Sequence, residues 1–209
     1  MQHGEKNKYT YHISEVNMYE KISKNISNYI DLDKEEFDEL SSFLKIREIK
    51  KGQYLFHRGD IATYNSFVNK GCLKTSFTDS IGQEHIVQFA TEEDWITDYD
   101  SYLNKTPSRL DLIAVEDSVL FQLDHPSLEK LIERIPKFER FDKMVREHQF
   151  NRLQRCLITL LSNNAEERYR DFIQNYPGLA NQIPQHQIAS FIGITPEYLS
   201  RIRWKLTHL

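Results

Sequence analysis

The sequence predicts an α+β chain: an antiparallel β-roll, then one long helix, then a small helix-turn-helix domain. Three observations carry this. Between Lys45 and Leu123, short segments of period-two alternation are separated by polar turns holding Gly52, Gly59, Gly71 and Gly82, as in half-buried antiparallel strands. From Lys137 to about Leu161 an apolar helical period runs without glycine or proline. The chain then ends in two short apolar patterns joined through Gly193, the signature of a helical hairpin.

Bulk properties exclude several classes. With 209 residues, 39% hydrophobic and 28% charged, the chain can bury one large domain and a small one. No apolar run is long enough to span a bilayer, and no export signal is visible, so no membrane partner is expected. Cys72 and Cys156 are far apart and lack the clustered spacing of a zinc or iron–sulfur site. Buried reduced thiols, a cytoplasmic location and no cofactor are the expectations.

Residues 1–17 are polar and without amphipathic period, an expected disordered leader ahead of a second candidate start at Met18. Met18, Ile22, Ile26 and Tyr29–Ile30 recur at helical spacing, and a further short helix begins from an acidic cap at Asp33. Strands are expected at Ile46–Ile49, Tyr54–His57, Ser66–Asn69, Cys72–Phe77, His85–Ala90, Leu110–Val115 and Val119–Leu123. A short helix follows from His125-Pro126 to Ile135, closed by Pro136.

The long helix has apolar positions at Phe138, Phe141 and Val145, then at Phe150, Leu153, Leu157 and Leu160, with a slip near His148. Such a stripe can bury itself against the roll, against a second copy, or both. Asn163–Asn164 end it, and another helix runs from Ala165 to Tyr176. The expected units are a sensor roll over 18–136, a dimerisation helix over 137–162 and a helix-turn-helix domain over 163–209.

In the terminal motif, Ile188, Ile192, Ile194, Leu199 and Ile202 share one apolar core, with small Ala189 at the crossing. Thr195 suits an N-cap and Pro196 the first helical position. Leu199, Ile202 and Leu206 then lie on one face, leaving Glu197, Ser200, Arg201, Trp204 and Lys205 outward. A helix of this kind can enter a major groove, where Glu accepts from cytosine N4 and Arg forks onto guanine O6 and N7. An ordinary helical hairpin would also carry a solvated charged face, but register, turn and cap together favour DNA. The expected DNA-facing set is Gln185, Thr195, Pro196, Glu197, Tyr198, Ser200, Arg201 and Lys205. Net charge of −4 argues against DNA binding over the whole surface; Arg201, Arg203 and Lys205 make the basic character local.

Order and motifs together resemble the bacterial transcription regulators of the cyclic AMP receptor protein and fumarate–nitrate regulator (Crp/Fnr) superfamily, over about residues 20–209. The likeness is carried by Lys51-Gly52 through Gly59-Asp60, by Val68 through Gly71-Cys72-Leu73-Lys74, and by the terminal motif. The family's recognition helix usually begins Arg-Glu with a second Arg four residues after the Glu. Here Glu197 and Arg201 match and Pro196 replaces the first arginine, which implies a different base preference. The chain stops at Leu209 without room for the family's β wing, like the shorter regulators of Bacteroidetes-type bacteria.

The resemblance also implies where a cyclic nucleotide would sit: a glutamate after a glycine for the ribose, an arginine for the phosphate. Glu93 and Asp94 stand at the first pair, and Ser108 falls at the arginine, with Arg109 displaced by one. In a strand, a shift of one turns a side chain to the opposite face. Glu92, Glu93, Asp94, Asp98, Asp100, Asp111, Glu116 and Asp117 against Lys105 and Arg109 also oppose an anion. Asp94, Trp95, Tyr99, Ser108 and Arg109 form the candidate effector pocket. The expectation is a non-enzymatic regulator binding a near-palindromic DNA site as a homodimer, not controlled by cyclic AMP, with an unidentified small-molecule effector left open. A cyclic-nucleotide-responsive regulator with Arg109 rescuing the phosphate site through a bulge is the alternative. A cupin-like metalloenzyme is a third reading; His57 and His85 lie in expected strands, but no His-x-His occurs and no catalytic or metal residue is assigned.

Overall fold

The computed structural model describes residues 18–208; the expected leader at 1–17 lies outside them. Helix α1 (Glu20–Ser27) buries Ile22 and Ile26. Helix α2 (Lys34–Phe43) starts from a reciprocal cap: Glu36 N donates to Asp33 Oδ1 and Asp33 N to Glu36 Oε2, both 2.9 Å.

Two four-stranded antiparallel sheets form the roll. One orders β1 (Lys45–Ile49), β8 (Ser118–Asp124), β3 (Tyr64–Lys70) and β6 (Trp95–Ile96); the other orders β2 (Tyr54–Phe56), β7 (Asp111–Ala114), β4 (Leu73–Thr78) and β5 (Glu84–Ala90). Every strand expected from alternation is present, with ends moved by a residue or two. Strand β6 and helix α3 (Tyr99–Asn104) were not expected. The former is two residues long and exists through its pairing with Ser66 and Phe67, too short to carry a period. Leu73, Ala90, Ile96, Leu112, Ala114 and Leu120 fill the space between the sheets, with Tyr102 of α3 closing it. Gly71 is required at its turn: φ is +95° and a Cβ would stand 2.3 Å from Ser118 Oγ.

Helices α4 (His125–Arg134) and α5 (Lys137–Ser162) follow; α5 has 26 residues, roughly 39 Å at about 1.5 Å per residue. Its slipped stripe resolves into two faces. Phe138, Phe141, Val145 and Gln149 are buried against the roll, and Gln149 donates to Trp95 O (2.9 Å) while accepting from Gln88 Nε2 (3.0 Å). Beyond it Phe150, Leu153, Leu157 and Leu161 are 66%, 45%, 56% and 80% exposed. At spacings of three and four they line the side of α5 turned away from its own chain.

Helices α6 (Ala165–Asn175), α7 (Leu179–Gln182), α8 (Gln185–Ile192) and α9 (Pro196–Thr207) complete the described chain; the four-residue α7 is not among the helices expected from the sequence. Their core, with Phe172, Tyr176, Ile188 and Leu199, continues into Cys72, Ile86, Phe89 and Val115 of the roll. Ser190 makes the junction specific. Its Oγ donates to Glu84 O (2.7 Å) and accepts from Ile86 N (3.0 Å), closing part of the β5 edge that would otherwise present unpaired backbone groups. Burial pushes the Cys72 thiol up to about 12 and also raises that of half-buried Cys156, so both remain protonated near neutrality. No helix among the described residues is long and apolar enough to cross a membrane.

Candidate nucleic-acid interface

The turn between α8 and α9 is built from local chemistry. Gly193 takes the left-handed conformation at φ 70° and caps α8, and Ile194 N donates to Ala189 O at 3.0 Å. Thr195 Oγ1 accepts from Tyr198 N at 3.2 Å, with Pro196 in the first turn. Thr195→Ala is therefore expected to lower stability by about 1 kcal/mol. Denaturant unfolding checks this, and an unchanged midpoint would remove the cap from the account.

Leu199 and Ile202 are buried and Leu206 half-buried, leaving Glu197, Tyr198, Ser200, Arg201, Trp204 and Lys205 exposed. Thr195 and Pro196 are exposed at the start of α9, and Gln185 at the start of α8. The whole expected DNA-facing set thus lies at the surface. The Arg201 guanidinium stands 5.3 Å from the Tyr198 ring centroid; among the described residues it forms no ion pair with Glu197. Glu197 is held below the usual carboxylate range by the backbone amide at the helix start, then by the Thr195 hydroxyl and the Arg201 charge, which keeps it an acceptor. Lys205 sits on a flank, its Nζ 2.8 Å from Glu166 Oε2 of α6.

The candidate effector residues do not converge. Asp94 accepts from Arg152 Nη1 (3.0 Å) and from Thr91 N (2.9 Å). Trp95 is buried and donates from Nε1 to Asn25 Oδ1 (3.1 Å), while Tyr99 Oη accepts from Asn65 Nδ2 (3.3 Å). Ser108 is buried with its hydroxyl 2.7 Å from Asp98 Oδ2, and the other Asp98 oxygen caps α3. Arg109 is exposed. Both Ser108 and Arg109 precede β7 rather than lying in a strand, so strand pleat is not what separates them. Ser108 turns inward because Gly59 N donates to its carbonyl and its own N donates to Asp60 O, both 2.8 Å.

His57 and His85 each face a single carboxylate, Asp111 at 3.6 Å and Asp79 at 2.8 Å. No group of three or more His, Cys, Asp or Glu among the described residues could hold a metal ion. Sequence reasoning missed Ser190 and Arg152. The available signals were a hydroxyl between Ala189 and Phe191 in an apolar helix, and a lone cation continuing the buried face of α5.

A family model described as cyclic nucleotide-binding domain matches residues 46–135, the roll and α4. The "Anaerobic regulatory protein" of Pasteurella multocida is 26% identical over 188 residues, covering 84% of this chain and 68% of that protein. Residues 46–135 thus match a cyclic nucleotide-binding domain, and the chain as a whole is similar to regulators of the Crp/Fnr kind. The fold is similar to that of FixK2 from Bradyrhizobium japonicum, with TM-score 0.70 at 19% identity over 79% of this chain and 85% of that one. A Crp/Fnr-family regulator structure from Eubacterium rectale matches at TM-score 0.66 and 17% identity, over 85% of each chain. Both likenesses cover more of the chain than the 46–135 segment alone.

Proposed function

We propose that this chain is a sequence-specific DNA-binding transcriptional regulator, and not an enzyme, that acts in the cytoplasm as a homodimer on a near-palindromic site. The observation that carries it is α9: capped at Thr195, fastened by Leu199 and Ile202, and free to present Glu197 and Arg201. Residues 18–136 act as the sensor unit, 137–162 as the dimerisation helix and 163–209 as the DNA-binding unit. The bare stripe of Phe150, Leu153, Leu157 and Leu161 supports pairing of two α5 helices by symmetry. Selection of bound fragments from random DNA, followed by sequencing, tests this. An inverted repeat with half-sites roughly 34 Å apart is expected; a retained pool without sequence enrichment would defeat the reading.

Cyclic AMP is not the effector under this proposal. Ser108 replaces a phosphate-binding cation and is committed to Asp98, Arg109 faces solvent, and the interior of the roll is filled by its own side chains. Calorimetry with cyclic AMP and cyclic GMP is expected to detect no saturable binding tighter than about 10 μM. Such binding, abolished by Arg109→Ala, would instead establish the cyclic-nucleotide-responsive alternative.

A further inference from the structure

A cavity of about 480 Å³ opens where the roll, α5 and the helix-turn-helix domain meet, within the size range of small-molecule sites. Three arginines line it: Arg152 and Arg155 from α5, and Arg168 from α6. Phe172 of α6 with Phe191 and Ile192 of α8 adds apolar lining. Two carboxylates also line it, yet neither neutralises the whole. Asp94 is taken by Arg152 at 3.0 Å, and Asp171 accepts from Asn163 Nδ2 at 3.1 Å.

Unsatisfied donors remain. Arg155 has no hydrogen bond or ion pair among the described residues. Arg168 Nη1 reaches Leu160 O (3.3 Å) and Asn163 O (3.2 Å), leaving Nη2 without a hydrogen bond among the described residues. A guanidinium fork suits an oxyanion.

We infer that this junction cavity binds a small organic anion, a phosphate or carboxylate head on an apolar body, at a site separate from the one the roll would offer a cyclic nucleotide. The head lies between Arg155 and Arg168, and the body against Phe172 and Phe191. Thr91 and Asp94 of the roll share the cavity with α8, so occupancy bears on how the helix-turn-helix domain sits against the roll. Only that regulatory consequence rests on the DNA-binding reading; binding of the anion does not.

The test is calorimetry on the full chain without DNA, using phenyl phosphate, benzoate and, as the neutral counterpart, benzyl alcohol. Saturable binding of at least one anion, one per chain, is expected below about 10 mM, with none for benzyl alcohol. The two anions distinguish a phosphate from a carboxylate preference. Arg155→Gln, at an exposed residue without partners, is expected to weaken binding at least about tenfold with unchanged thermal unfolding. Arg168→Gln should act in the same direction. Arg109→Gln and Arg201→Ala should leave binding intact. Absence of saturable binding by both anions, equal binding of benzyl alcohol, or loss with Arg109→Gln or Arg201→Ala but not with Arg155→Gln would each overturn the proposal.

Discussion

Leu153→Asp combined with Leu157→Asp yields a folded monomer whose affinity for the selected palindrome falls by about 10²–10⁴-fold, the loss expected when two linked half-site contacts become independent. Both leucines lie on the bare face of α5 and contribute to none of the buried clusters. Two carboxylates there, doubled by symmetry, would be desolvated against one another on pairing. The same change at Phe141 would not be informative. That ring is buried, packed 5.9 Å from Trp95 and 5.7 Å from Tyr29 between centroids, so a charge would unfold the roll–spine junction instead. Light scattering with far-UV circular dichroism checks the result. A double variant that stays dimeric, or a wild type that is monomeric at micromolar concentration and binds one half-site at full affinity, would exclude the α5 dimer.

Arg201→Ala weakens binding to the selected site by roughly 1–3 kcal/mol and relaxes preference at one base position, about 5- to 150-fold in affinity. Its exposed position predicts unchanged folding. Competition with single-base variants of the site separates the outcomes, since a phosphate contact would weaken every sequence alike. Lys205→Ala is the useful contrast. Its ammonium already pairs with half-buried Glu166, so its removal should cost less, and evenly across sequences. Equal affinity of wild type and Arg201→Ala for the site would remove Arg201 from base reading.

What the sequence determined by itself is local. The α8–α9 motif was legible to the residue because Gly193, Thr195 and Pro196 act on their own turns, and Leu199 and Ile202 recur at helical spacing. The strands were legible because side chains facing a core must alternate, and the α2 cap because Asp33 and Glu36 answer each other three residues apart. The slip near His148 was visible too, but its meaning was not. Whether an apolar face meets its own roll or is left bare depends on which elements arrive beside it. Tertiary structure decided that Phe141 goes inward and Leu153 outward, and that β6 exists at all. It also spent Ser108 on Asp98, joined Ser190 to a strand 104 positions away, and gathered Arg152, Arg155 and Arg168 around one cavity. Such contacts form only after the domain cores have placed the backbones, so no short-range period encodes them.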